Sequence, residues 1–331
     1  MTLKDVADAA GVSTATVSRV LSGRRRVNED VAATVRAASD RLGYRPHAVA
    51  RSLRMQSTGT VGMVVPRISN PFFPSIVEAV ERELAEDGLQ LLLCDSQGSL
   101  QQEAARISAL LDRRVDGMLL LPCETAGSDS AVAAAADVVP VVLIDRSTSG
   151  SADVTDYVGT DDGLGMRQLF AHLRSRGARS FAFVSADDRT SSALARSLSY
   201  GTGAAELDGA SVRRTLLGEF SFEWGREAAQ RLLADGPLPD AVLCGADIIA
   251  LGLLSALHEA GVVVPDDVLV TGYDDIGFAA LSNPALTTVR QPVEQLGREA
   301  VTLLRARLVD AGAPRRRTVL EPTLVVRRST G

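Results

Sequence analysis

Lysine is nearly absent from this chain of 331 residues: Lys4 stands alone, and arginine carries the rest of the positive charge. Cysteine is scarce as well. Cys94, Cys123 and Cys244 fall in separate apolar runs without metal-ligand spacing, so they read as small core residues, with no disulfide framework or metal site expected. No apolar run reaches the roughly 18 residues that a membrane helix requires. The opening MTLKDVADAAG has two acids and no apolar centre, which sets aside a secretory leader and points to a cytoplasmic, nucleoid-associated protein. Enzyme signatures are missing too: there is no P-loop, no GxGxxG after the first strand and no GxSxG. Only three histidines occur, with His47 in a linker-like stretch and His172 and His258 in helical ones. No catalytic residue and no cofactor is assigned.

What is present has the balance of a globular protein, 46% hydrophobic and 23% charged, and the length predicts two or three domains. The net charge of −6 hides an asymmetry. Residues 1–58 hold ten Lys/Arg against five Asp/Glu, a net of +5, while the remainder holds 25 against 36, a net of −11. A basic head on an acidic body is expected where only the head meets polyphosphate.

Within that head, LKDVADAAGVSTATVSRVLSG (Leu3 to Gly23) has apolar residues at Val6, Ala9, Ala10, Val12, Val17, Val20 and Leu21. The spacing is helical before Gly11 and again after Ser13. Two short helices joined by a Gly-containing turn predict a helix-turn-helix, with Gly11 at positive φ and Ser13 capping the second helix. Small residues at the exposed start of that helix let it lie against a DNA groove. Arg24 to Arg26 form a basic loop, Asn28 caps a third helix over Glu29 to Leu42, and Gly43 ends it. The expected core is Leu3, Val6, Val17, Val20, Leu21, Val31, Val35 and Leu42. In YRPHAVARSLR, Pro46 opens a helix of about two turns, too short to stand alone in water.

From Thr60 onward, apolar strand-like runs alternate with helical stretches. VGMVVP, LQLLLCD, DGMLLLP and PVVLID alternate with helices at 72–87, 99–113 and 126–136. A second series has SFAFVS, VRRTLLG, DAVLCGAD and DVLVTGYDD, with helices from about 163, near 192–206, from 222 and at 247–260. This predicts a doubly wound α/β body of two similar lobes. Ligands of such sheets bind beyond the carboxyl ends of the strands. The candidates there are Asn70, Phe72, Phe73, Asp145, Arg146, Asp187 to Ser192, Arg196, Glu219, Phe220, Phe222, Trp224, Asp247, Asp274 and Asp275. Aromatic faces beside carboxylates and arginines suit a sugar-like or purine-like molecule.

LKDVADAAGVSTATVSRVLSG, then YRPHAVARSLR, then VGMVVPRISNPFF resembles the opening of a transcription regulator of the lactose-repressor (LacI/GalR) family. The resemblance implies a three-helix head and hinge helix over residues 1–58, and a periplasmic-binding-protein-like body over 59–331. Lobe 1 would take about 60–160 and 291–320, and lobe 2 about 161–290 and 321–331. It implies that the second helix reads the major groove through Thr14, Ala15 and Arg19, and that Leu53 wedges into the minor groove. Ser13, Thr16, Ser18, Arg24, Asn28 and Arg51 complete the implied DNA-binding set. The implied effector contacts are Phe72, Phe73, Asp145, Arg146, Arg196, Phe220, Asp247, Asp274 and Gln291. Ala246 departs from the family, which usually has Asn there, and Ser199–Tyr200 replaces a Gly-aromatic pair. The resemblance further implies a homodimer on a pseudo-palindromic operator in double-stranded DNA, with the helix near Pro292 and the helix after NPFF at the interface. The end LEPTLVVRRSTG, without heptads, favours a dimer over a tetramer. The expected function is a repressor controlled by a small sugar-like effector. A solute-binding protein for transport, or a regulator with a degenerate cleft, is the alternative.

Overall fold

The computed structural model describes residues 1–22, 27–44, 57–205 and 211–331, which form two compact units, Met1–Gly59 and Thr60–Gly331. The expectations for Arg24 to Arg26, Pro46, His47, Arg51 and Leu53 lie outside the described residues.

The first unit has three helices: α1 (Leu3–Ala10), α2 (Thr14–Ser22) and α3 (Glu29–Arg41). Helix α1 starts with a capping box, in which Asp5 N–H donates to Thr2 Oγ1 at 3.3 Å and Thr2 N–H donates to Asp5 Oδ2 at 2.7 Å. It ends at Gly11, whose φ of +66° turns the chain toward α2. Ser13 Oγ accepts from Thr16 N–H at 3.2 Å, and Asn28 Oδ1 accepts from Asp30 N–H at 2.9 Å, so both expected caps are made. Val6, Val17, Val20 and Val35 fill the centre, joined by Ala38 from the apolar face of α3 and by Ala7 and Ala32, which the apolar spacing alone leaves out. Because an L side chain in the left-handed region costs about 1–2 kcal/mol, Gly11→Ala is expected to loosen this unit. Amide exchange over residues 3–22 of the intact chain should quicken about fivefold, the equivalent of ~1 kcal/mol. Unchanged exchange would contradict the role of this turn.

The second unit is built on two parallel sheets. The first contains β1 (Thr60–Val65), β2 (Gln90–Asp95), β3 (Gly117–Leu120), β4 (Val141–Ile144), β5 (Asp156–Thr160) and β11 (Arg317–Leu320), in the order β11-β5-β4-β3-β1-β2. The second contains β6 (Ser180–Ala186), β7 (Ser211–Gly218), β8 (Ala241–Cys244) and β9 (Leu269–Thr271), in the order β7-β6-β8-β9. A two-stranded antiparallel pair, β10 (Thr288–Arg290) with β12 (Thr323–Val325), completes the strands. The runs GMLL, VVLI and AVLC become fully buried strands, as expected where helices cover both faces, whereas LLLCD lies in the edge strand β2 and stays partly exposed. Helices run over Phe72–Glu86, Leu100–Asp112, Asp129–Ala136, Asp162–Ser175, Ser191–Ala205, Phe222–Ala234 and Asp247–Glu259, within a few residues of the expected stretches. The short strands β5, β10, β11 and β12 and the one-turn helix Gly277–Leu281 were not foreseen.

The chain leaves the first sheet after β5, returns to it after β10, and leaves again after β11. These crossings touch: Asp161 N–H donates to Leu320 C=O at 2.9 Å, and Thr160 Oγ1 donates to Gln291 Oε1 at 2.7 Å. The helix Val293–Val309 covers the first sheet through Leu296, Ala300, Val301, Leu303 and Leu304. It packs on the helix Phe72–Glu86, where Gly297 meets Ala79 closely and Arg82 makes two bonds to Glu294, at 2.7 and 3.2 Å. The two helices expected at a dimer interface thus cover each other along one side within the chain. No helix among the described residues is long and apolar enough to cross a membrane.

Candidate functional site

In the helix-turn-helix unit, burying Val17 and Val20 turns the opposite side of α2 outward. Ser13, Thr14, Ala15 and Arg19 are exposed there, with Thr16 and Ser18 half-buried; Asn28 is exposed at the start of α3. The start of a helix offers unpaired backbone N–H groups and the positive end of its dipole, a surface suited to phosphate.

In the second unit, the carboxyl ends of the two sheets face a common cleft. A narrow inner chamber is lined by Asn70, Phe72, Phe73, Asp145, Arg146, Ser192, Arg196, Phe220 and Asp274. Both sheets reverse their strand order here, with β1 beside β3 and β6 beside β8, the arrangement that opens a crevice at strand ends.

Two carboxylates and two guanidiniums define its chemistry. Asp145 and Asp274, at the ends of β4 and β9, hold the left-handed backbone conformation, with φ of +64° and +111°. Their N–H groups donate to Val158 and Val289 carbonyls at 2.9 and 2.8 Å, which fixes these strained turns in place. Burial pushes the Asp145 carboxyl up to about 6, opposed by Arg146 and then Arg196. Burial likewise pushes Asp274 up to about 7, opposed by Arg196 and by the bond from Gln291.

Arg196 is almost fully buried. Its Nε donates to Asp162 Oδ1 at 2.8 Å and its Nη1 to Gly245 C=O at 2.8 Å. Nη1 also lies 3.6 Å from Asp274 Oδ1, and the guanidinium stacks 3.8 Å from the Tyr273 ring centre. Burial disfavours its charge, but Asp162 and Asp274 hold it above the ordinary guanidinium range. Arg146 is held differently, between the rings of Phe73 and Phe220, at 5.3 and 5.4 Å from their centres. Its Nη1 donates to Pro122 C=O at 3.3 Å, and its Nε has no hydrogen-bond partner although it is buried. Burial pulls its pKa down, against the neighbouring Asp145. That Nε instead lies 3.6 Å from Asp145 Oδ2, an ion pair too long for a hydrogen bond.

The sequence-derived set divides here. Phe72, Phe73, Asp145, Arg146, Arg196, Phe220 and Asp274 line the chamber. Asp247 and Gln291 line neither this chamber nor its outer extension. Asp247 accepts from Thr288 Oγ1 at 2.6 Å and from Ile276 N–H at 2.9 Å, and burial raises its carboxyl well above the ordinary range. Gln291 Nε2 donates to Asp274 Oδ1 at 2.8 Å, so it backs the chamber wall. Trp224 lies off the chamber, donating from Nε1 to Ser185 C=O at 2.9 Å, and Tyr200 stacks on Phe183 in the core. Asp162 and Tyr273 are the residues that sequence reasoning missed. Asp162 follows β5, a strand too short and Gly-interrupted to read, which hid the strand-end position that flags such a residue. Tyr273 adjoins Asp274, and only its stacking on Arg196 shows its part.

No His, Cys, Asp and Glu group among the described residues is placed to hold a metal ion. The three cysteines are unpaired thiols; Cys123 and Cys244 are buried, with their pKa pushed up by burial. A helix-turn-helix unit joined in one chain to a two-lobed receptor with a charged, aromatic chamber defines a ligand-responsive DNA-binding regulator.

Comparison with known proteins agrees. Residues 2–47 match the bacterial regulatory proteins of the lacI family, 61–168 match a periplasmic binding protein domain, and 170–330 match a periplasmic binding protein-like domain. The chain is 36% identical to the HTH-type transcriptional repressor PurR of Photobacterium profundum over 332 residues, 99% of this chain and 98% of that one. It is also 36% identical to the ribose operon repressor of Escherichia coli K12 over 333 residues, 99% of each. Among solved structures, the lac repressor dimer bound to operator and the anti-inducer ONPF is similar with a TM-score of 0.89 at 26% identity, covering 100% of this chain and 99% of that one. The complex of the regulator CelR with cellobiose is similar with a TM-score of 0.75 at 31% identity, covering 99% of each. The chain belongs to the lacI family of bacterial regulatory proteins. It is a DNA-binding transcription regulator and not an enzyme.

Proposed function

We propose that this regulator is a cytoplasmic, homodimeric repressor whose operator affinity is set by a small sugar in the inner chamber. The observation that carries the ligand reading is the convergence of Asp145, Asp274, Arg146 and Arg196 with the faces of Phe73 and Phe220 at one wall of the cleft. Carboxylates accept from sugar hydroxyls, guanidiniums donate to ring and hydroxyl oxygens, and aromatic faces cover the C–H side of the ring. The Escherichia coli relative is a ribose operon repressor, and CelR is a sugar-bound neighbour. Arg19, Thr14 and Ala15, with Ser13, Thr16, Ser18 and Asn28, are the DNA contacts of the described head; Arg24, Arg51 and Leu53 extend the set from sequence. Residues 1–58 carry DNA binding and 59–331 effector binding and dimerisation, with the lobes divided at the three crossings. A ligand that binds one lobe arrangement more tightly shifts the population toward it, and DNA affinity follows by linkage.

A thermal-shift screen of the intact chain against pentoses, hexoses, polyols and nucleosides tests the ligand reading, because ligand binding raises apparent stability. At least one sugar should raise the melting temperature in a concentration-dependent way; a response to nucleosides alone would overturn it. Selection from random duplex DNA tests the head. An inverted repeat should emerge, and Arg19→Ala should lose about 1–3 kcal/mol of discrimination at one base pair per half-site.

The chamber also sets a pH dependence. Asp145 and Asp274 titrate near 6 and 7, above the unfolded value of 3.8. The folded form therefore binds more protons than the unfolded one between about pH 4 and 7, and these two acids lower stability as pH rises through that window. Sugar hydroxyls donating to the carboxylates favour the ionised form. Effector affinity is thus expected to rise between pH 5.5 and 7.5, with protons released on binding at pH 6.5. Calorimetry in buffers of different ionisation enthalpy measures this, and proton uptake would contradict it.

A further inference from the structure

One guanidinium stands between two carboxylates at the inner chamber, and it serves them unequally. Arg196 Nε donates to Asp162 Oδ1 at 2.8 Å. Its Nη1 is bonded to Gly245 C=O at 2.8 Å and stands 3.6 Å from Asp274 Oδ1, too far for a hydrogen bond. The side chains of Arg196, Asp162 and Asp274 are 3%, 11% and 4% exposed, so water screens their charges little. Asp274 lines the chamber, and Asp162 lies behind it.

The backbone holds Asp162 in that place. It is the first residue of the helix Asp162–Ser175, whose cap Asp161 accepts from Leu164 N–H at 2.8 Å. The positive end of the helix dipole favours a carboxylate there. The other charged groups around Asp274 come from several elements. Asp145 and Arg146 follow β4, Asp247 opens its own helix, and Gln291 Nε2 donates to Asp274 Oδ1 at 2.8 Å. Burial, seconded by the charges of Asp145 and Asp162, outweighs Arg196 and Gln291 and holds the Asp274 carboxyl at about 7. Tyr273 adds only its ring, stacked on Arg196. Asp145, Asp162 and Asp274 are thus three acids on two guanidiniums, and Asp162 has the shortest contact of the three.

We infer that Asp162 is a positioning residue: by taking the hydrogen bond of Arg196 it leaves Asp274 without a bonded cation, open to a donor group of the effector. This rests on the inner chamber being the effector site. With the Asp162 charge gone, the field of the guanidinium falls on Asp274, and an effector hydroxyl has to compete with Arg196 for that carboxylate.

Carbon-13 carboxyl resonances of the intact, aspartate-labelled chain test it without any ligand, the Asp274 signal being assigned by its loss in Asp274→Asn. In the unsubstituted chain that signal should titrate at about 7. In Asp162→Asn, which is isosteric and still accepts from Nε, the midpoint should fall by about one pH unit, since a neighbouring charge moves a carboxyl by roughly 1–3. Asp162→Glu keeps the charge and should titrate close to the unsubstituted chain. An Asn variant that titrates where the unsubstituted chain does overturns the inference. So does an equal fall in Asp162→Glu, which would trace the effect to shape instead of charge. Isothermal titration at pH 8 with D-ribose, D-glucose, D-mannitol and adenosine reads the consequence for binding. Any of these that binds the unsubstituted chain should bind Asp162→Asn at least about threefold more weakly, within the worth of one hydrogen bond. Equal affinity overturns the inference. If none of them binds, the panel counts against the sugar reading, and the titration of Asp274 alone decides the role of Asp162.

Discussion

Asp274→Ala is expected to abolish the effector response. The carboxylate faces the inner chamber, is fixed by Gln291 Nε2 at 2.8 Å, and sits 3.6 Å from Arg196 Nη1. Hydrogen bonds to a charged group contribute about 1.5–3 kcal/mol each, so losing two of them weakens binding at least about 100-fold. The fold should survive, because Arg196 keeps Asp162 and Gly245 as partners. Asp274 itself is a buried acid whose ionisation the interior opposes. Titration of the sugar found by screening measures the affinity directly, apart from any change in resting operator binding. An affinity within threefold of the unsubstituted protein would remove Asp274 from the site.

Arg307→Met should give the largest loss of stability. Arg307 is buried beneath the first sheet, where Nε donates to Asp156 Oδ2 at 3.0 Å and Nη2 reaches both oxygens of the same carboxylate. It also donates to the carbonyls of Ala311, Ala313 and Pro314, closing the loop before β11. Without it, Asp156, 1% exposed, keeps only the Arg316 N–H at 2.7 Å. Breaking a buried pair costs about 3–5 kcal/mol, which corresponds to a fall of ~10 °C in melting temperature. Adding Asp156→Leu should recover a large part of the loss, since the uncompensated charge is then gone. A fall below 2 °C for the single variant would show that the pair contributes nothing.

Much of this architecture was legible because its signals are local. The turn at Gly11, the caps at Ser13 and Asn28, and the apolar strands VVLI and AVLC each follow from a few adjacent residues. The strand-end rule brought Asp145, Arg146, Arg196 and Asp274 into one chamber, although they come from two sheets. Residues whose role depends on a distant partner were not legible. Asp247 reads as a cleft acid by position, yet its oxygens are taken by Thr288 and Ile276, 41 and 29 residues away. Asp162 gains its role only when the helix Ser191–Ala205 brings Arg196 to it. The strands β10, β11 and β12 are three or four residues each and exist through long-range pairing, which leaves little periodicity to read.

Thr160 donates to Gln291, and Gln291 donates to Asp274, so a chamber carboxylate is wired to two of the three strand crossings between the sheets. Recognition and gain therefore share one component. A substitution that retunes the chamber for another molecule through Asp274 also resets the resting balance between lobe arrangements. Variants selected for a new inducer by changes there should show altered basal repression, whereas changes at Phe220 should leave it alone.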